Sequence, residues 1–198
     1  MTIELLLALS LFCAGTLFTP GPNNLMLMTS GANFGFRRTL PHMLGIGIGF
    51  SVMVLLVGTG LAQIFEAWAP ARTVLAVFSV AYLLWLAWKF ANAAPLGEAE
   101  NHARPLTFLQ AAAFQWVNPK AWAMALTATT IYAPDQSTTA ILLVALVFGA
   151  INLPSVSVWT VLGQQMRRLL TSPARLVWFN RTMALLLVAS LYPVLNPG

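Results

Sequence analysis

The sequence predicts an all-α integral membrane protein with six transmembrane helices, arranged as two inverted three-helix repeats in which helices 1 and 4 are broken. The first observation is composition: 59% of the 198 residues are hydrophobic, 8% are charged and the mean hydropathy is +0.78. A chain with so little polar surface cannot cover a soluble domain. The second observation is that two proline motifs interrupt apolar stretches, and the third is that basic residues cluster in alternate connectors.

Six apolar segments are long enough to cross a bilayer at about 20 residues per crossing. They cover residues 3–30, 41–64, 71–90, 107–132, 138–163 and 174–195. A straight helix over residues 3–36 would be about 50 Å long and would exceed the ~30 Å hydrocarbon core, so we expect a break near Pro20. No basic residue precedes the first segment and Glu4 lies at its start, which indicates a retained span and not a signal peptide.

The segments predict one membrane domain, residues 1–198, built from two related halves. A cytoplasmic connector at 96–105 separates repeat one, residues 1–95, from repeat two, residues 106–198. The tripeptide Pro-Ala-Arg opens the third segment at Pro70 and the sixth at Pro173, while the proline breaks fall in the first and fourth. Because each half holds an odd number of spans, the second half must enter the membrane in the opposite orientation.

The positions of the basic residues predict the orientation of the chain. The connectors after segments one, three and five carry Arg37, Arg38, Lys89, Arg104, Arg167, Arg168 and Arg175. The connectors after segments two and four carry only Arg72. The positive-inside rule therefore puts both termini outside. Since these residues are topology signals, we expect the lipid bilayer as a partner and no nucleic acid.

The two breaks predict a binding site near the middle of the bilayer. They are Thr19-Pro20-Gly21-Pro22-Asn23-Asn24 and Asn118-Pro119-Lys120. Pro22 suits the first turn of a new helix, with Gly21 or Thr19 as its cap, and Asn118 followed by Pro119 repeats that pattern. Each break should begin a half-helix whose positive end points into the protein, and opposite orientations bring the two ends together. Such a site favours an anion, most simply a carboxylate.

Two cationic side chains are candidates for contact with that anion. Lys120 lies so deep in its segment that insertion costs about 2.5–3.5 kcal/mol, so it should face a cavity or a partner. The alternative is that Lys120 caps carbonyls freed by the first break. Arg181 lies nearer to the start of the sixth segment, where it either faces the ligand or extends to the cytoplasmic interface.

Three amides complete the candidate substrate site. Asn23 and Asn24 can bind substrate, although one of them can instead satisfy backbone groups left unpaired by Pro20 and Pro22. Asn152 precedes Pro154 by two residues, so it belongs either to the site or to a hinge without ligand contact. No carboxylate lies deep in any segment, and the site should therefore prefer a neutral zwitterionic amino acid over lysine or arginine.

The residue pattern does not assemble an enzyme, a metal site or a cofactor site. With only His42 and His102 and no deep acid, neither a catalytic pair nor a metal-ligand cluster can be formed. A passive channel for small polar solutes is the main alternative to a carrier, because convergent half-helices also build selectivity filters.

Two motifs and several glycines identify a resemblance to a known family. They are Phe18-Thr19-Pro20-Gly21-Pro22-Asn23, then Gly31, Gly35, Arg37, Gly45 and Gly49, and finally the run from Gln115 to Trp122. In sequence and spacing these residues resemble the LysE/RhtB superfamily of amino-acid exporters along nearly the whole chain. By motif, the site residues carried over are Pro20, Gly21, Pro22 and Asn23 from the first break and Asn118, Pro119 and Lys120 from the second.

The resemblance implies an exporter of amino acids or close derivatives in the bacterial inner membrane, with both termini then periplasmic. It also implies coupling to the proton gradient and suggests a homodimer. Many members have Asp where this chain has Asn23; if that acid carries a proton in them, the group that couples transport to protons is not at this position in this chain. His42 either titrates or is structural. The mechanism we predict is alternating access, with helix N-termini and Lys120 holding the carboxylate while Asn side chains and free carbonyls receive the ammonium.

Overall fold

The fold was analysed in a computed structural model that describes residues 1–61, 63, 67, 70–92 and 104–192. Seven α-helices lie in these ranges: α1 (Ile3–Phe18), α2 (Pro22–Leu56), α3 (Pro70–Ala91), α4 (Phe108–Phe114), α5 (Pro119–Tyr132), α6 (Thr138–Arg167) and α7 (Pro173–Ala189). A π-helical turn, Val57–Leu61, follows α2, and a 3₁₀ turn, Gln115–Val117, follows α4. All regular structure in the described part of the chain is therefore helical. Most of the predicted connector 96–105 lies outside the described residues.

Both predicted helix breaks are present. The first helix ends at Phe18, Thr19 is extended (φ −71°, ψ 144°), and α2 begins with Pro22 at its first position and Gly21 as N-cap. At the second break Asn118 is extended (φ −91°, ψ 108°) and caps α5, which begins at Pro119. In both places proline supplies a fixed φ and needs no backbone hydrogen bond, as expected for the first turn of a helix.

Helix α2 contains a chain reversal that joins the first and second predicted segments. Gly35 has φ +78° and ψ 171° inside α2, a conformation that favours glycine. The hydroxyls of Ser30 and Thr39 lie 3.0 Å apart, whereas nine residues of straight helix would separate them by about 13 Å. Thus α2 consists of two arms, 22–34 and 36–56, that fold back on each other with almost no connecting loop.

Three described helices are long and apolar enough to cross a membrane by length and composition: Pro22–Leu61, Thr73–Ala91 and Thr138–Arg167. The first of these includes the reversal at Gly35. Helix α1 is a shorter apolar helix of 16 residues. The chain is thus a helical protein with several apolar helices, consistent with a membrane protein, while the six-span inverted repeat stays a prediction.

Side-chain contacts fix the relative directions of the helices around the breaks. Helices α1 and α5 are antiparallel, because Lys120 contacts Thr19 and the Tyr132 hydroxyl approaches the carbonyl of Ala8. Helix α6 instead runs in the same direction as α1 and the first arm of α2, since Ser155 contacts Leu17 and Gln164 contacts Phe36. The half-helix that begins at Pro119 therefore points away from the one that begins at Pro22.

Glycines allow the central helices to approach closely. A Cβ on Gly31 would overlap the carbonyl oxygen of Thr160, and a Cβ on Gly163 would overlap that of Met28. Gly49 likewise packs directly against α4, since a Cβ added there would lie 2.6 Å from the Cα of Ala112. In a bilayer, where helix association depends on van der Waals contact, these positions bring the long helices α2 and α6 together and hold the breaks in place.

Candidate functional site

The Lys120 side chain joins the two breaks. Its ammonium donates to the Thr19 carbonyl (2.9 Å) and the Thr19 hydroxyl (2.8 Å), with a longer contact to the Pro20 carbonyl (3.4 Å). Gly21 makes this approach feasible, because a Cβ there would lie 2.8 Å from Lys120 Cδ. In this conformation Lys120 caps the carbonyls freed by the first break, which is one of the two roles expected from the sequence.

A second contact between the breaks is a reciprocal pair of amides. Asn23 Nδ2 donates to Gln115 Oε1 (2.8 Å), and Gln115 Nε2 donates to Asn23 Oδ1 (3.1 Å) and to the Ala111 carbonyl (2.9 Å). Gln115 is fully buried. Gln115 belongs to the second motif, but no role for its side chain was predicted. The sequence feature that could have identified Gln115 is an amide side chain within an apolar segment, three residues before the Asn118 cap.

Asn24 satisfies the end of α1. Its Nδ2 donates to the carbonyls of Leu17 and Thr19, both at 2.8 Å, and Ser155 Oγ also donates to the Leu17 carbonyl at 2.8 Å. Of the two adjacent amides, Asn24 thus fulfils the backbone role that the sequence left open. Helix ends inside a membrane protein need such partners because water is absent.

The two half-helices differ at their N-termini. The Asn118 side chain accepts from the Lys120 backbone N–H (3.2 Å), and the Asn118 carbonyl accepts from Ala121 (3.0 Å), so α5 is capped. Helix α2 has no side-chain cap, and its first backbone hydrogen bond runs from Leu25 to the Gly21 carbonyl. Within the described residues, the N–H groups of Asn23 and Asn24 are therefore left without an acceptor. The positive end of α2 lies next to Lys120 and favours an anion.

A narrow cavity of about 20 Å³ lies where the breaks meet. It is lined by Thr16, Leu17, Gly21, Asn23, Asn24, Asn118, Lys120, Met124 and Asn152. A single water needs roughly 10–15 Å³ measured in the same way, so the cavity holds about one water and is closed to an amino acid. In this conformation the candidate site is too narrow for its proposed ligand.

Asn152 reaches this cavity from α6. Its side chain is 3% exposed, yet it has no hydrogen-bond partner among the described residues. The amide atoms of Asn152 are accessible from the cavity, so a polar ligand group there would gain a hydrogen bond that the described residues do not supply. Helix α6 continues through Pro154, two residues further on.

The remaining sequence candidates do not line the cavity. Pro20 and Pro119 shape the backbone at each break, and Pro22 is buried at the start of α2. Arg181 is exposed on α7, away from the lining residues. His42 is 1% exposed, and neither ring nitrogen has a partner among the described residues. In those same residues, no group of three His, Cys, Asp or Glu side chains is placed to hold a metal ion.

A family model and several known proteins match nearly the whole chain. A sequence model of the family described as LysE type translocator matches residues 14–190. Relatives named cysteine/O-acetylserine efflux protein occur in Escherichia coli (strain K12), Escherichia coli O9:H4 (strain HS) and Shigella sonnei (strain Ss046). Each is 31% identical over 191 residues, covering 95% of this chain and 96% of the relative. No solved structure matches the chain.

Proposed function

Because the chain belongs to the LysE type translocator family, we propose that it exports small neutral zwitterionic amino acids, or their derivatives, from the cytoplasm by alternating access. The efflux relatives make cysteine and O-acetylserine the first compounds to test. The observation that carries the proposal is the juxtaposition of Lys120 with the uncapped N-terminus of α2 at a narrow cavity that several amide side chains line.

Substrate binding exchanges one set of polar contacts for another. The substrate carboxylate takes the Lys120 ammonium and the free N–H groups at the start of α2. The carbonyls of Thr19 and Pro20, which Lys120 now occupies at 2.9 and 3.4 Å, are then released to accept from the substrate ammonium. The Nδ2 group of Asn118 supplies a further donor, and the Asn152 amide supplies both a donor and an acceptor.

The charge balance of the lining residues favours a neutral substrate. Lys120 is the one charged side chain among them, and none is a carboxylate. A zwitterion brings one negative and one positive group and leaves the site with its original net charge. A lysine or arginine substrate would bring an additional cation without a counter-charge, which is costly in a site of low dielectric constant.

Alternating access is supported by the opposed half-helices. The arm beginning at Pro22 and the helix beginning at Pro119 leave the site in opposite directions, so movement of one half against the other exposes the site to either side. In the proposed topology Arg37, Arg167 and Arg168 mark the cytoplasmic face, both termini are periplasmic, and the protein lies in the bacterial inner membrane.

Coupling to protons is part of the proposal, and Asn23 is not its carrier. An amide does not titrate near neutral pH, and Asn23 is held by Gln115. His42 is the candidate that we favour, because its ring is buried and unpaired within the described residues. A histidine that gains contact with water when the protein opens can take up or release a proton in the physiological range.

A homodimer would cover the first break. Thr19 and Pro20 are exposed on the single chain although they lie in an interrupted helix. Irregular backbone at membrane depth is not tolerated against lipid and must be covered by protein or face a water-filled cavity. A second copy against this surface would provide that cover.

Counterflow in proteoliposomes tests the proposal. Purified protein is reconstituted with unlabelled amino acid inside, and uptake of labelled cysteine, O-acetylserine, threonine, homoserine or lysine is followed. We expect saturable counterflow of the neutral compounds and slower exchange of lysine. Faster lysine exchange would overturn the substrate class, whereas unsaturable flux with a measurable unitary conductance would favour a passive channel.

A further inference from the structure

A second and larger cavity lies at the other end of α5, where that helix meets the π-helical turn. Its volume is about 200 Å³, ten times that of the cavity at the breaks. Its lining includes Gly58, Gly60, Gln63, Thr129, Thr130 and Gln136. We refer to it as the outer vestibule, because the proposed topology places this end of α5 outside.

Backbone distortion creates the vestibule. The chain widens into a π-helical turn at Val57–Leu61, and Gly60 has φ +118°, a conformation that strongly favours glycine. Gly58 lets this turn approach α6, since a Cβ there would lie 2.7 Å from a methyl group of Ile141. The turn therefore bends over the end of α5 and encloses a space that a regular helix would not leave. Such π-helical turns are frequent at functional sites.

The described lining of the vestibule is uncharged, and four polar side chains stand among its apolar residues and glycines. The side chains of Thr130 and Gln136 make no hydrogen bond to any described residue, so they are available to a ligand. The hydroxyl of Thr129 donates to the Ala125 carbonyl (2.9 Å) and can still accept. Hydroxyl and amide groups both donate and accept, and they suit the two ends of a zwitterion equally.

The vestibule also has a weakly negative end. The last turn of α5 contains no basic residue, so the carbonyls at its C-terminus carry an uncompensated partial negative charge. The adjoining connector contains Asp135, an exposed carboxylate that is ionised at neutral pH; hydrogen bonds from the Ser137 side chain and backbone lower its pKa further. An ammonium group is therefore favoured at this end of the cavity.

Helix α5 connects the vestibule to the site at the breaks. Lys120 lies in its first turn and Thr129 nine residues later, about 14 Å further along the axis. One apolar cluster includes Met124 at the inner cavity and Val57 at the vestibule, with the buried Ala125 and Ala128 among its members. This apolar cluster separates the two cavities, so a substrate passes from one to the other only when α5 moves.

We propose that the outer vestibule is a second, weaker binding site for the exported amino acid, occupied after the substrate leaves Lys120 and before its release outside. The ammonium of the bound amino acid faces the C-terminal carbonyls of α5, and its carboxylate faces Gln63, beyond the π-helical turn. This inference rests on the proposed export function, because a substrate must reach the vestibule from the inner site.

Protection from chemical modification tests the vestibule directly. Thr130→Cys places a thiol in its lining, and the native Cys13 is buried. Labelling by a membrane-impermeant thiol reagent added outside is timed with and without O-acetylserine. At about ten times its Kd for the vestibule, O-acetylserine should slow labelling about tenfold. Thr139→Cys, an exposed threonine of α6 outside the lining, is the matched control and should show no protection.

A filling substitution gives an independent readout. Thr130→Trp should reduce counterflow of O-acetylserine at least tenfold while equilibrium binding to the detergent-solubilised protein, which reports the inner site, is retained. Equal labelling rates with and without O-acetylserine, or full counterflow by Thr130→Trp, would overturn the vestibule proposal. Wild-type protein without counterflow of any tested amino acid would instead overturn the export function, and with it this inference.

Discussion

Replacing Lys120 with methionine separates a binding role from a structural one. The substitution keeps the length of the side chain and removes all three contacts of the ammonium, at 2.8, 2.9 and 3.4 Å from Thr19 and Pro20. In the proposed mechanism it also removes the group that meets the substrate carboxylate. We therefore expect Lys120→Met to insert and fold but to bind and export poorly.

The magnitude follows from the bond that is lost. A hydrogen bond to a charged group contributes about 1.5–3 kcal/mol, and each 1.4 kcal/mol is a factor of ten in Kd. The Kd for O-acetylserine should rise between about tenfold and about 150-fold on this basis. Equilibrium binding to purified protein measures the Kd, and counterflow in proteoliposomes measures the accompanying loss of exchange.

Ser155→Ala is the matched control for Lys120→Met. Ser155 also donates to a carbonyl at the end of α1, that of Leu17 at 2.8 Å, but it does not line the cavity. Loss of the Ser155 hydrogen bond should lower the thermal stability. The Kd for O-acetylserine should change by no more than about twofold, because Asn24 still donates to the same carbonyl and the cavity lining is unchanged. An unchanged Kd in Lys120→Met, or an equal rise in both variants, would refute a carboxylate-binding role for Lys120.

Three further substitutions test other parts of the site. In Gly21→Ala the new Cβ would lie 2.8 Å from Lys120 Cδ and should displace the ammonium, so we expect at least tenfold slower counterflow; wild-type rates would show that the contact is not needed. Asn152→Leu removes an amide that has no partner among the described residues, so the melting temperature should be kept or raised while counterflow falls about tenfold, the loss of about one hydrogen bond. Unchanged counterflow would indicate that Asn152 belongs to a hinge and does not contact the ligand. His42→Gln should retain counterflow at equal pH but lose its acceleration by an imposed pH gradient, and acceleration equal to wild type would exclude His42 as the proton carrier.

The positions of the helix breaks were predictable from sequence because their causes are local. Proline fixes φ and lacks a donor, so Pro22 and Pro119 define helix starts whatever surrounds them. Asn118 was predicted as a cap for the same reason, and it is one. The connection between the first two segments was predicted less accurately. The apolar pattern indicated a connector of several residues between 30 and 41, whereas the chain reverses at the single residue Gly35, which has a positive φ.

The partners of the polar side chains were not predictable, because they depend on contacts between distant segments. Asn23 and Asn24 are adjacent and chemically identical, yet one pairs with Gln115, 92 residues away, and the other caps α1. The sequence left open which residue had which role. Lys120 likewise reaches across 101 residues to Thr19. Depth in an apolar segment indicated that Lys120 needs a partner, but only the packing of α1 against α5 identifies it.

The difference between the two breaks explains how one site can recognise both ends of a zwitterion. At the second break Asn118 satisfies the helix start, which leaves Lys120 free to reach the first break. At the first break the start of α2 is uncapped, so free N–H groups lie beside the carbonyls that Lys120 occupies. A carboxylate alone would take Lys120 away from both carbonyls; that of Thr19 would keep only the Asn24 amide as a donor, and that of Pro20 would lose its donor. An amine alone would meet the Lys120 charge.

Only a molecule with both groups replaces every contact that it breaks. Where the membrane and the proposed second copy exclude water, each polar group left unsatisfied costs about 1–3 kcal/mol, so a ligand lacking either end should bind about five- to 150-fold more weakly. The same exchange of contacts explains why the cavity is small without substrate. Lys120 then donates to the carbonyls of Thr19 and Pro20 and holds the two breaks together. In the proposed cycle, substrate therefore replaces an internal ion–dipole contact and releases the contact that keeps the two breaks closed.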